Sequence, residues 1–154
     1  STNLAEDTDG LSAAKSDILP AGIAWSYVLS TQIGTANSIG MGFTNTNSIV
    51  DRLGSSASSY AAGKARFYTG GGYYDWFLPS REELVELFNS RMEIGNFITT
   101  SESFYWSSSE NDMIRVPADI TRAWAVNFDS TLTYATMYAS NQTTALHVRP
   151  VRYF

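Results

Sequence analysis

Cysteine is absent from all 154 residues. That removes disulfides, thiol nucleophiles and cysteine-held metals, and it leaves the redox compartment open. Histidine occurs once, as His147, so the chain has no metal-spaced histidines. Charge is scarce as well. Only 16% of residues are Asp, Glu, Lys or Arg, against about a quarter in ordinary globular domains. Ser and Thr fill the gap. Ten Lys and Arg against fifteen Asp and Glu leave a net charge of −5 and no basic stripe. Nucleic acid is therefore a poor partner. No apolar run approaches the length of a membrane span, and no signal peptide is visible.

The residues that are present describe a globular chain. Hydrophobic residues make up 44% and aromatic residues 14%, enough to bury a core in one domain. The organising stretch is GGGYYDWFLPSREELVELF, residues 70–88. Pro79, Ser80 and Glu83 spell a capping box, with serine and glutamate each bonding the other's backbone. Leu84, Leu87 and Phe88 then share one helical face. Tyr73, Tyr74, Trp76 and Phe77 are expected to anchor the start of this helix in the core.

In chain order, residues 1–20 read as a polar N-terminal arm and 21–154 as the domain. Residues 21–33 suggest a strand. Asn45 or Thr46 is expected to cap a short helix that Gly54 closes. YAAGKARFY, 60–68, reads as a second helix weakened by Gly63. FYWSSS, 104–109, reads as a strand entering a turn. AWAVNF, 123–128, alternates as a half-buried strand. VRPVRYF is a closing strand whose proline suggests an edge or bulge. Helices mostly precede strands, so the expected class is α+β.

Three blocks then fall in a familiar order: GGYYDWFLPSREEL, YWSSSE, and AWAVNF followed by VRPVRYF. Together with TNSIVDRLG and YAAGKARFY they resemble the C-type-lectin-like domain that ends many bacterial and phage surface proteins, the Lcl-type adhesin C-terminal family. The resemblance covers roughly residues 40–154. It implies a C-type-lectin-like fold: a small twisted antiparallel sheet, two flanking helices, and the terminal strand near the middle of the sheet. The loops before that strand would form a ligand-binding face. The fold is also similar to the variable proteins of diversity-generating retroelements, whose C-terminal segment is rewritten at template adenines. Adenine changes in an AAC codon never yield Met or Gln. Of the 18 residues from 130 to 147, only Met137 and Gln142 lie outside the reachable set.

The expected binding face comprises Thr131, Thr133, Tyr134, Thr136, Tyr138, Ser140, Asn141, Thr143, Thr144, Leu146 and His147, with Arg115, Asp119 and Arg122 from the preceding insertion. Tyrosines would supply rigid contact area, and Thr, Ser and Asn adaptable hydrogen bonds. A polar hairpin without function is the plain alternative. Asn141-Gln142-Thr143 is also a glycosylation acceptor pattern.

Glu110, Asn111, Asp112 and Asp119 offer oxygen ligands of the type calcium takes. The calcium-dependent sugar motifs of C-type lectins (Glu-Pro-Asn, Gln-Pro-Asp, Trp-Asn-Asp) do not occur, so no metal and no cofactor is expected. Arg149, Arg152, Trp76, Trp106 and Trp124 read as structural. With no Gly-x-Ser-x-Gly elbow and no phosphate loop, the chain reads as a non-enzymatic domain. Its partner would be a protein or other macromolecule at a cell or phage surface. The alternative is a fixed-specificity adhesin domain for glycan or matrix.

Overall fold

The computed structural model describes residues 10–27, 32–54, 57–111 and 121–154. Among them the order is β1 (Leu11–Ala13), β2 (Ile18–Ile23), α1 (Gly42–Leu53), α2 (Ala61–Arg66), α3 (Arg81–Asn89), α4 (Arg91–Ile94), β3 (Phe104–Glu110), β4 (Arg122–Asn127), β5 (Thr136–Asn141), β6 (Leu146–Val148) and β7 (Val151–Tyr153). The class is α+β. The main sheet runs β2-β6-β3-β4-β5, and β1 and β7 form a separate ladder. The main sheet is mixed, because β6 runs parallel to β3 and antiparallel to β2. After β5, at one edge, the chain crosses to the slot between β2 and β3.

The alternation of side chains along strands divides the core into two clusters. Tyr105 and Val126 join Phe77, Leu84, Leu87, Phe88, Phe128 and Val151. Their neighbours Trp106, Ala123 and Ala125 join Ile49, Leu53, Tyr60 and the alanines of α2. Phe128 binds the first cluster tightly, with Phe97 stacked on it at 4.6 Å and Tyr105 at 4.6 Å. Contacts of this kind add about 0.5–1.5 kcal/mol beyond area burial.

The capping box forms as the spacing predicts. The Glu83 amide donates to Ser80 Oγ at 3.3 Å, and the Ser80 amide donates to Glu83 Oε1 at 2.8 Å. Glu83 is fully buried and does more. Its Oε2 accepts from the Gly40 amide at 3.0 Å and from the Tyr153 hydroxyl at 2.5 Å. One carboxylate thus joins the α1 entry, the α3 start and β7. Gly42 fits beside it only because it lacks a side chain. A Cβ there would meet Glu83 Oε1 at 2.2 Å and Phe77 at 2.7 Å.

Several expectations are corrected. Asn45 and Thr46 do not cap α1, which starts at Gly42. Both are buried inside it and dock other segments. Asn45 exchanges bonds with the Ala36 backbone and reaches Ser108, while Thr46 Oγ1 both donates to and accepts from the Leu78 backbone. Ser107, Ser108 and Ser109 lie within β3, where the register shifts between Trp106 and Glu110. Their small hydroxyls satisfy backbone groups of neighbouring segments, among them Trp124 O, Ala36 O and the Arg81 amide. Trp76 and Phe77 are buried, yet Tyr73 and Tyr74 are exposed.

The terminal strand does not enter the middle of the main sheet. β6 lies inside it, between β2 and β3, and Arg149-Pro150 then carries the chain out to β7. Proline has no amide to give a ladder, and its carbonyl instead accepts from Ala14 N at 2.9 Å. β7 pairs on one side with β1 and on the other with Phe77. Residues 10–20 are therefore built into the fold and the expected boundary at residue 20 falls inside β2; Leu11 and Ala13 are core residues. Residues 1–9 of the expected arm lie outside the described residues.

Asp17 and Arg149 seal this junction. Arg149 is buried with its Nε 2.9 Å from Asp17 Oδ1. Nη1 donates to the carbonyls of Ala14 and Gly95 and Nη2 to that of Asn96, and its guanidinium lies 4.0 Å over the Phe97 ring. Tyr105 donates to the other Asp17 oxygen at 2.6 Å. Burial, reinforced by that carboxylate, pushes the Tyr105 hydroxyl pKa upward.

Candidate ligand-binding face

β5 is an edge strand of the main sheet. It pairs with β4 over six residues without a break, from Arg122↔Asn141 to Asn127↔Thr136. Two side-chain turns of one design bracket it. Asp129 Oδ1 accepts from the Thr131 amide and hydroxyl, both at 2.9 Å. Asn141 Oδ1 accepts from the Thr143 amide at 3.0 Å and hydroxyl at 2.8 Å. Short polar side chains that bond two residues ahead fix such turns locally. The two Thr131 donors hold the Asp129 carboxyl pKa below its usual range.

Below the face the loop is anchored. Leu132 and Ala135 pack on the first core cluster, and Leu132 O accepts from Arg91 Nη2 at 2.9 Å. Gln142 is fully buried behind the second turn. Its backbone bonds Thr121, Trp25 and Ser26, and its Nε2 donates to Arg122 O. Arg122 donates from Nη1 to Ala139 O at 2.9 Å, clasping β5 from β4.

The expected face therefore divides. Thr133, Tyr134, Thr136, Tyr138 and Thr144 stand exposed together; Tyr134 is 73% and Tyr138 49% accessible. Thr131, Asn141 and Thr143 are exposed too, but their polar atoms hold the turns. Ser140 does not belong, being only 5% accessible although it shares a face of β5 with Tyr138. Leu146 and His147 do not belong either. They are half-buried in β6, between β2 and β3. Leu146 packs on the second cluster, and the His147 ring lies 5.3 Å from that of Tyr105. Arg115 and Asp119 lie outside the described residues.

Met137 was missed by the sequence reading. It is 44% accessible next to Tyr138. On an edge strand neither face is fully covered, so consecutive side chains can both reach solvent. Met137 stands opposite the buried Val126, so only the open edge of the sheet accounts for its exposure. Tyr138 is steadied by Phe104, with ring centroids 5.2 Å apart.

The carboxylate at the proposed calcium ligands is already engaged. Glu110 accepts from the amides of Ile33, Gly34 and Thr35 and from the Thr35 hydroxyl, so it staples the 33–35 loop to β3. Asp112 and Asp119 lie outside the described residues. Among the described residues no group of three His, Cys, Asp or Glu could hold a metal. Arg152 is engaged as well, forked onto Asp75 at 2.7 and 3.0 Å and lying 3.7 Å over the Tyr73 ring. The pair holds the Asp75 pKa below its usual range and raises that of Arg152.

Residues 21–152 match the family described as the Lcl C-terminal domain. No curated protein matches the chain. A solved fimbrial protein from Bacteroides ovatus ATCC 8483 is similar in structure, with a TM-score of 0.54 and 16% identity. The match covers 98% of this chain and 38% of that one, so the chain spans well under half of its length. At that identity the likeness concerns the fold.

Proposed function

The chain belongs to the Lcl C-terminal domain family, and on that footing we propose that it is a non-enzymatic, adhesin-like ligand-binding domain at a cell or phage surface. In this reading the architecture is C-type-lectin-like and the ligand is a protein or other macromolecule. The contact face is β5 with its flanking turns, and its side chains are interchangeable, as in the variable protein of a diversity-generating retroelement.

One observation carries the proposal. The backbone of 129–145 is held by the β4 ladder, two side-chain turns, Gln142 and Leu132, none of which uses Thr133, Tyr134, Thr136, Met137, Tyr138 or Thr144. Those six side chains can change while the platform stays preorganised, which limits the entropy lost on binding. The lone histidine supports the non-enzymatic part, since its buried Nδ1 sits inside the sheet.

Sequencing many copies of the gene from one source population is the test. Substitutions should concentrate at Thr133, Tyr134, Thr136, Tyr138 and Thr144 and spare Ser140, Gln142 and Leu146. A reverse-transcriptase gene beside a near-copy of the 3′ end, differing at adenines, should accompany them. Scatter spread evenly over the chain would leave the fixed-specificity adhesin as the better reading.

A further inference from the structure

The phase of hydrogen bonding along β5 follows from two backbone bonds. Gln142 N donates to Thr121 O, and Asn111 N donates to Arg122 O. Arg122 stands opposite Asn141, and Ala123 opposite Glu110. In an antiparallel ladder this makes Thr136, Tyr138 and Ser140 the residues that bond β4. Met137 and Ala139 then turn their N–H and C=O groups outward, away from the sheet.

Among the described residues nothing accepts from the Met137 or Ala139 amide, and nothing donates to the Met137 carbonyl. The Ala139 carbonyl differs, because Arg122 Nη1 donates to it at 2.9 Å. Further on, the Gln142 carbonyl accepts from the Trp25 and Ser26 amides, and the open edge ends there. Sheet edges are commonly blunted by charge, proline or a bulge. No Asp, Glu, Lys, Arg or Pro occurs from 130 to 147, and the register with β4 is unbroken. Thr136, Met137 and Tyr138 are exposed beside these open groups.

Resting on the reading of β5 as the contact face, we propose that its ligand is an extended segment of another protein. The segment adds to the five-stranded sheet as a further strand. It bonds the Met137 N–H and C=O and the Ala139 N–H. Main-chain bonds then supply affinity that no β5 side chain controls, and side chains alternating to either face supply specificity. That division suits a face whose side chains are interchangeable.

Arg122 selects the occupant. In antiparallel pairing, the residue facing Ala139 accepts from its amide. That residue would also aim its own N–H at the carbonyl that Arg122 already fills. Proline has no N–H to misplace there. A second copy of this chain fits worse. In the two-fold registers of β5 centred on Met137 or Tyr138, each Arg122 guanidinium meets a backbone N–H of the other copy. Donor would face donor at two symmetric points.

The test passes the whole chain over a displayed library of random linear peptides of about ten residues. A retained peptide, once bound, should slow amide exchange at Met137 and Ala139 at least about tenfold, as read by NMR. Tyr138 and Ser140, already bonded to β4, should not change. N-methylation of the peptide should abolish binding at the residue facing Met137 and be tolerated at the residue facing Ala139. Met137→Pro removes only an outward N–H from the backbone, and should weaken binding at least about tenfold more than Met137→Ala. Thermal midpoints verify that both variants fold; if the proline variant does not, exchange and N-methylation decide. An empty selection would overturn the proposal. So would unprotected Met137 and Ala139 amides, or protection that appears in the chain alone as its concentration rises. Scatter among gene copies with an unprotected edge would sink this inference alone. A protected edge without such scatter would sink only the interchangeable face.

Discussion

The stretch from Gly70 to Leu87 and the stretch from Asp129 to Thr144 are both polar-aromatic, yet they are opposite in kind. In the first, side chains do the fastening. Glu83 alone serves Ser80, Gly40 and Tyr153, and Gly42 beside it has no room to grow. In the second, the β4 ladder and a few turn and anchor residues do the fastening, and most other side chains face water. The contrast shows how one small fold can be rigid and still tolerate change. Tolerance comes from confining the restraints to the ladder and a few turn residues, not from loosening the segment.

The largest effect should come from the interior. Arg149→Ala strands Asp17 and three carbonyls, and breaking a buried ion pair costs about 3–5 kcal/mol. Urea denaturation should show that loss. A loss under about 1 kcal/mol would mean that the junction is wetter than described. Gly42→Ala comes next. It should cost about 1–3 kcal/mol by overpacking against Glu83 and Phe77, and a neutral result would break the account of the hub.

pH offers a subtler probe. The Tyr105 and Tyr153 hydroxyls have raised pKa values, caused first by burial and then by Asp17 and Glu83 respectively. An unfolded tyrosine ionises near about pH 10. Above that pH the unfolded chain gives up protons that the native chain keeps, so stability is full below about pH 10 and falls as pH rises beyond it. Tyr105→Phe should flatten that alkaline limb in urea midpoints taken between about pH 8 and 11, and an unchanged slope would count against a buried hydroxyl. The smallest effect belongs to the display face. Tyr134→Ala should move stability by no more than about 0.5 kcal/mol. Tyr138→Ala should cost slightly more, through Phe104. Thermal melts of the two variants would sharpen the comparison; a large drop at Tyr134 would erase it.

Local chemistry explains which features were readable in advance. The Ser80–Glu83 box and the Gly54 stop are short-range signals, and each forms as expected, whereas β4 forms where expected but is buried on both faces and not half-buried, because core clusters lie on either side of it. The long-range partners were not readable. Nothing near Asp17 announces Arg149, and nothing near Asn45 announces Ala36 and Ser108. Asn45 and Thr46 look like caps because caps and buried docking groups use the same polar atoms. The display segment was located by its composition. Its covered members, Ser140 and Gln142, could be told from Tyr138 only by the packing around each, since Ser140 and Tyr138 share one face of β5.

The β1–β7 ladder has a mechanical consequence. Gly10 O accepts from Phe154 N at 2.9 Å, so chain leading into the fold and chain leading away from it would emerge side by side. Tension applied across those two points would open the ladder like a zip, one rung at a time, beginning at the Gly10–Phe154 bond.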